Sequence, residues 1–242
     1  VTGITGTAAG SNASNISGTL TNTTADPINV LYTITPQSGI CQGNSFTVTV
    51  TVNPRPTVTV PANITTCTGA TVAAGTFTSS TTGTTYTWSN SNTAVGLAGS
   101  GSGNTPSFTA TNNTVNPITA TITVTPAANS CTGTPSTYSI TVNPTFAITT
   151  PSNITACNGA PIAAINFSSP VAGTTYSWTN NNTAIGLAGS GSGNIAGFNA
   201  VNTTSNPITA NITVNSTANS CLGTPASFSI TVNPTPTVTV PA

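Results

Sequence analysis

Five cysteines are the residues of this chain best equipped for covalent or metal chemistry, and they occupy two positions of a ninety-residue period. Cys41, Cys131 and Cys221 share one position; Cys67 and Cys157 share the other. A thiolate can ligate a metal, act as a nucleophile or close a disulfide. The first two uses need company: structural and catalytic metal sites gather several thiolates, imidazoles or carboxylates, and covalent or acid–base catalysis needs a neighbour that exchanges protons near neutral pH. The chain has no His, Glu or Lys, one Asp (Asp26) and one Arg (Arg55). No catalytic residue, cofactor site or metal site is therefore expected, and calcium-rigidified repeats are disfavoured. Disulfides are what is left. One pair per period, Cys67 with Cys131 and Cys157 with Cys221, reads as a bridge, the other reading being free buried thiols. Closing such a loop would stabilise each repeat by about 4 kcal/mol on the chain-entropy model, and an oxidising, extracellular location would follow. Cys41 has no partner in this scheme, because its counterpart one period before Cys67 would precede Val1; truncation of a longer chain and a bridge to another molecule both account for it.

The same inventory bounds the partners. Nucleic-acid binding draws on Lys and Arg to neutralise phosphates, and one Arg cannot supply that. No apolar run approaches the roughly 18 residues of a membrane helix, so no membrane insertion is expected of this segment. Gly96-Leu-Ala-Gly-Ser-Gly-Ser-Gly103 lacks the Lys-Ser/Thr and the helix that a phosphate cradle requires and reads as a loop or sheet-edge turn. Trp88 and Trp178 are candidates for stacking on sugars. Their alternation with Tyr86 and Tyr176 places all four more naturally in a structural core. Asn63, Asn112, Asn153, Asn211 and Asn215 head N-x-S/T triplets and read as solvated turn and strand residues.

The elements that carry these residues follow from the period. Residues 53–142 and 143–232 align without gaps at 55 identities in 90 positions. Residues 1–52 align more weakly at the same offset through Thr21-Asn22, Pro27-Ile28, Cys41 and Thr51-Val52, and Val232–Ala242 repeats Val52–Ala62 with one change. The expected domains are the C-terminal part of a diverged repeat (1–52), two full repeats (53–142 and 143–232) and the first strand of a following one (233–242). Val1 begins partway through a repeat, so a longer parent chain is expected. Within a full repeat, alternation marks an opening strand at Val58 and Val60, a second from Val72 to Ser79 with Gly75 as a bulge, and a third at Tyr86 and Trp88. A fourth lies at Phe108 and Ala110, a fifth at Ile118 to Val124, and a closing strand at Tyr138 to Val142. The fold class is all-β: tandem immunoglobulin-like sandwich repeats. Four strands then separate Cys67, in the turn after the opening strand, from Cys131, before the closing strand. An even number returns both to one pole of the sandwich. A fifth strand at Ala94–Ala98 would part them.

Consecutive repeats meet through Asn143-Pro144 alone. Proline fixes one dihedral and its neighbours are extended, so a stiff joint and a rod-like array are expected. Sheet edges usually carry charge against unwanted pairing. Here the prolines at 54, 56, 61, 117, 126, 135 and 144 are left to interrupt it. Uncharged faces also permit side-by-side packing of identical chains that salt would not disturb.

The unit VNPxxxxxxPxNITxCxGA…GTTYxWxNxNTAxGLAGSGSGN…NPITAxITV…NSCxGTPxxxSITVNP resembles the PKD-like, immunoglobulin-type repeats of very large surface and secreted proteins of Bacteroidota. The resemblance covers both full repeats and, more weakly, residues 1–52. It implies seven-stranded sandwiches in long arrays, export, often by type IX secretion, and roles in adhesion, gliding or extracellular fibres. The acidic Asp-Phe-Gly-Asp-Gly run of PKD domains proper is replaced after Trp88 by Ser-Asn-Ser-Asn, so no acidic function carries over. The functional expectation is a non-enzymatic, disulfide-stabilised segment of an extracellular bacterial fibre or adhesin stalk, secreted to the cell surface. Its expected partners are neighbouring repeats of the same chain and, in a filament, identical chains; a surface ligand is not specified. The alternatives are a self-assembling filament protein with lateral chain packing and a carbohydrate-binding module.

Overall fold

The computed structural model describes residues 1–7, 10 and 14–236, and among them the regular elements are strands apart from two single-turn 3-10 helices. The chain forms two compact units. One comprises Val1–Ile64, Thr71–Phe108 and Thr119–Ile140; the other comprises Thr65–Ala70, Thr109–Ile118 and Thr141–Ala242. The second unit contains all of the period 143–232, whose architecture can be followed without a break.

Its strands arise from strict alternation. In Ile208–Ala218 the residues Ala210, Ile212 and Val214 are buried while Thr209, Asn211, Thr213 and Asn215 are exposed, as a two-residue side-chain period demands of a sheet wet on one face. Threonine suits the wet face because its β-branch favours extended backbone. The main sheet runs in the order Ile154–Cys157, Ala226–Asn233, Ile208–Ala218, Thr175–Asn180, Ser190–Ser192, with Cys221–Leu222 folding back on Ile208–Ala218. All its pairs are antiparallel except one: Ile154–Cys157 runs parallel to Ala226–Asn233, placing Cys157 opposite Asn233. A smaller layer forms from Pro161–Ile162 paired with Phe198–Asn199, with bridges between Ile165 and Ile195 and between Thr149 and Ser168. The opening segment therefore reaches both layers, since Ala147 bridges Thr224 on the main-sheet side.

Between the layers lies one core of apolar side chains that includes Phe146, Phe167, Trp178, Ile185, Ile195, Ile212, Phe228 and Ile230. Burying each such side chain stabilises the fold by about 1.5–3 kcal/mol. Trp178 lies under the edge strand, where Gly191 is required: a Cβ there would come within 2.6 Å of the indole Cε2. The short 3-10 helix Thr183–Ile185 is started by Asn182, whose side chain accepts from the Ala184 N–H, and is ended by Gly186 at φ 89°.

In the first unit, Thr85–Asn90 pairs with Ser100–Ser102 on one side and with Ile118–Ala128 on the other, so Trp88 lies opposite Gly101 and Val124. Residues 1–52 contribute an antiparallel pair, Ile28–Ile34 with Phe46–Val52, in the register Val30↔Val50 and Tyr32↔Val48. Phe46, Val48 and Val50 on this pair are exposed, whereas Tyr138 and Ile140, one period after Val48 and Val50, are buried.

Several sequence expectations need correction. The second strand is not continuous from Val72 to Ser79; it is Thr71–Val72 followed by isolated bridges from Gly75 and Thr78. Pro126 does not guard an edge: it lies within Ile118–Ala128, opposite Tyr86, near the end of that strand, where its carbonyl accepts from Gly133. The segment read as a turn holding Cys67 is a strand, Ile64–Cys67, with the cysteine at its end. The strand beginning of the tail, proposed for 233–242, falls largely on 237–242, outside the described residues.

Candidate functional site

The cysteines form the only covalent cross-link among the described residues, and it differs from the expected one. Cys67 is bonded to Cys221, 154 residues away, with a Cα–Cα distance of 5.7 Å; Cys41, Cys131 and Cys157 are free. The pairs Cys67–Cys131 and Cys157–Cys221 do not form. The reason is topological. Between Cys157 and Cys221 lie five strands, Pro161–Ile162, Thr175–Asn180, Ser190–Ser192, Phe198–Asn199 and Ile208–Ala218. An odd number carries the chain to the opposite pole. Cys157 sits beside Asn233 at the far end of the closing strand, while Cys221 precedes its near end at Ala226. At about 3.3 Å per residue that strand parts them by some 25 Å, against the roughly 7 Å limit for a disulfide. The fifth strand is Ser190–Ser192, not the one feared at the position of Ala94–Ala98, where the equivalent residues begin with a 3-10 turn. The bridge accordingly links residues from two successive ninety-residue periods of the sequence, both within the second compact unit.

The surrounding contacts are built for this joint. Cys221 follows a two-residue hairpin turn, Asn219-Ser220, with φ of 50° and 62°, the doubly left-handed turn that Asn accepts most readily among non-glycine residues. The Asn143 side chain donates to the Asn219 carbonyl at 2.9 Å. The Asn143 carbonyl in turn accepts from the Thr68 N–H at 2.9 Å and from the Thr68 hydroxyl at 3.1 Å. Phe146 accepts at its carbonyl from Thr224 N–H at 2.8 Å, and its ring lies over Gly223, where a Cβ would meet it. Thus Cys67, Asn143 and Phe146 hold the hairpin of residues 219–224. In the first unit the same grip recurs without a disulfide: Asn53 donates to the Asn129 carbonyl at 3.0 Å and Arg55 to the Thr132 carbonyl at 3.2 Å, with Asn129 and Ser130 again left-handed.

A second motif went unread in the sequence. Asn112 is buried, contrary to its reading as a solvated turn residue. Its amide donates to the Asn116 and Val142 carbonyls, and its Oδ1 accepts from the Thr114 N–H and hydroxyl, all at 2.8 Å. Asn202 does the same with Asn206, Val232 and Thr204, and Asn22 with Asp26, Val52 and Thr24. The signal was present as Asn-x-Thr-x-Asn/Asp-Pro at ninety-residue spacing. Asn63 and Asn153 do lie at the surface, where each Oδ1 accepts from the backbone of the closing strand, Ser139 and Ser229 respectively.

Trp88 and Trp178 are buried, and Tyr86 and Tyr176 are half-buried. Tyr86 stands edge-on to Phe77 at 5.7 Å, as Tyr176 does, more tilted, to Phe167. Burial pushes the Tyr138 phenol above its ordinary value, opposed by its hydrogen bond with Thr105, and burial also raises Tyr86. Among the described residues no three His, Cys, Asp or Glu gather in one place, and no helix is long and apolar enough to cross a membrane.

Compared with known proteins, the PKD-like domain family matches residues 1–56. No curated protein matches the chain. Among solved structures the chain is similar to human mucin-like protocadherin EC1-2, at 10% identity over 75% of this chain and 99% of that one with a TM-score of 0.39. It is similar to human protocadherin-24 EC1-2, at 13% identity over 74% and 98% with a TM-score of 0.38. It is likewise similar to mouse clustered PcdhgC3 EC1-3, at 12% identity over 87% and 77% with a TM-score of 0.39.

Proposed function

We propose that the chain is a non-catalytic structural segment of an extracellular bacterial fibre or surface adhesin stalk, built from repeats at 1–52, 53–142, 143–232 and 233–242 that are joined end to end. The observation that carries this reading is the Cys67–Cys221 bond, which ties one repeat to the next instead of closing each on itself. A cross-link at that place resists separation of neighbours under load. It adds nothing to recognition of a small ligand. The bond also favours an oxidising, extracellular compartment, and the chain has no His, Glu or Lys, the commoner acid–base groups. A carbohydrate-binding role gains no support, because the two tryptophans are buried in the core. Electron microscopy of the native material tests the reading: threads one chain wide with a domain-sized repeat are the expected result. Filaments several chains thick would favour lateral packing of the uncharged faces as the function, and isolated particles would overturn both.

A further inference from the structure

A disulfide changes which residues a pull along the chain can reach, because tension follows the shortest covalent route. Cys67 and Cys221 are bonded at a Cα–Cα distance of 5.7 Å across a sequence separation of 154. A pull between residues before Cys67 and residues after Cys221 therefore leaves the backbone at the first cysteine and rejoins it at the second. Residues 68–220 stay aside as a closed loop. That loop holds the Asn143-Pro144 connection, both tryptophans and Ile208–Ala218, the strand at the centre of the second unit's main sheet.

What remains on the route through the second unit is the segment from Cys221 to Asn233, and it is already drawn out. Cys221 and Leu222 lie opposite Ala218 and Thr217, and Ala226 to Val232 lie opposite Val214 to Ile208. The segment thus runs in one direction alongside the whole of Ile208–Ala218, with a single extra residue taken up on the way. Ile154–Cys157 pairs with its other side near the end, at Ile230 to Asn233. A strand rises about 3.3 Å per residue and a fully stretched chain at most about 3.6 Å, so pulling lengthens this segment by less than about 1 nm. A ninety-residue period pulled out in full would yield about 30 nm.

We propose that the Cys67–Cys221 bond is a tension bypass: it carries a pull past residues 68–220 and into a strand with no slack, so that the fold of residues 143–232 transmits force without unfolding. This rests on the structural-segment reading above and supplies its mechanics. Forced unfolding of a domain is ordinarily set by its own unfolding barrier. Here the stability of the looped residues is uncoupled from the force that the chain transmits. The core around Trp178 and the buried asparagines hold the closing strand in place, and the covalent route carries the pull.

Single-molecule force spectroscopy of the whole chain, held by its first and last residues, tests this, with peptide mapping to show the bond intact. The wild-type chain is expected to lengthen only through residues outside the loop. Cys67→Ser is expected to release about 50 nm more, the contour length of the 154-residue separation. Adding dithiothreitol to the wild-type chain under tension gives the same release and serves where the variant does not fold. Asn202→Ala separates the bypass from ordinary stability: it lowers the force at which the Cys67→Ser chain yields and leaves the curve of the bonded chain unchanged. A bonded chain that lengthens as far as Cys67→Ser, or one whose yield force falls with Asn202→Ala, overturns the proposal. Cys67 found bonded to any residue but Cys221 overturns it as well. Isolated particles in the native material would remove the structural-segment reading and leave these curves as they are, so the two fail separately.

Discussion

At the scale of single residues, the buried asparagines organise this protein more than any charged group does. Asn202 bonds the Asn206 and Val232 carbonyls through its amide and Thr204 through its oxygen, so one side chain ties the loop before Ile208–Ala218 to the end of the closing strand. Removing it leaves the buried Val232 carbonyl without a partner, at a cost of about 1–3 kcal/mol, and frees the loop bonds to Thr204 and Asn206. Asn202→Ala is expected to lower stability by about 3 kcal/mol, measured as a fall in the denaturant midpoint at unchanged slope. Asn202→Asp, which keeps the acceptor and loses the donor, should fall between that variant and the parent. This motif was visible as a thrice-repeated Asn-x-Thr-x-Asn/Asp-Pro string, but an Asn-rich, Thr-rich chain offers many similar triplets. Burial alone separates Asn112 and Asn202 from exposed Asn211 and Asn215.

At the scale of elements, the decisive one is the four-residue strand Ile154–Cys157 and its earlier copy Ile64–Cys67. Short, half-buried and made of Ile, Thr, Ala and Cys, it gives little alternation to read. Yet its parallel pairing with the closing strand carries the cysteine to the far pole. The stabilisation of a cross-link grows with the loop it closes, and a separation of 154 residues corresponds to about 5 kcal/mol on the chain-entropy model. Reduction, or Cys67→Ser, is therefore expected to destabilise the Thr141–Ala242 part of the chain by up to about that amount, seen as a lowered melting temperature. Peptide mapping of the unreduced protein should recover Cys67 with Cys221. Recovery of Cys67 with Cys131 would refute the topology.

At the scale of the whole molecule, the composition sets how the protein responds to solvent. With one Asp and one Arg among 242 residues, no network of ion pairs is present to be screened or titrated. The groups shifted by folding are phenols. Burial raises Tyr138 and Tyr86, so the unfolded chain loses these protons first as pH climbs. The stabilisation from keeping them neutral is complete below the ordinary tyrosine value of 10 and is lost as pH rises through the higher folded-state values. Denaturation midpoints should thus be flat through the neutral range, indifferent to added salt, and fall above pH 10; the fall should shrink in Tyr138→Phe.

The β class, the ninety-residue period, the outward threonines and inward Ile and Val of the long strands, and the near absence of charged side chains were all determined by the sequence. Each depends on local pattern or on composition, which a linear string records directly. The pairing of the cysteines was decided by tertiary structure alone. Which pole a cysteine reaches depends on the direction of the strand that ends in it and on the parity of the strands between it and its partner; weakly patterned Ile154–Cys157 sets the first and Ser190–Ser192 the second. Both are too short to announce themselves, and they become strands because longer neighbours offer them unpaired backbone groups. The same physics turns a bridge expected inside each sequence period into one between two successive periods.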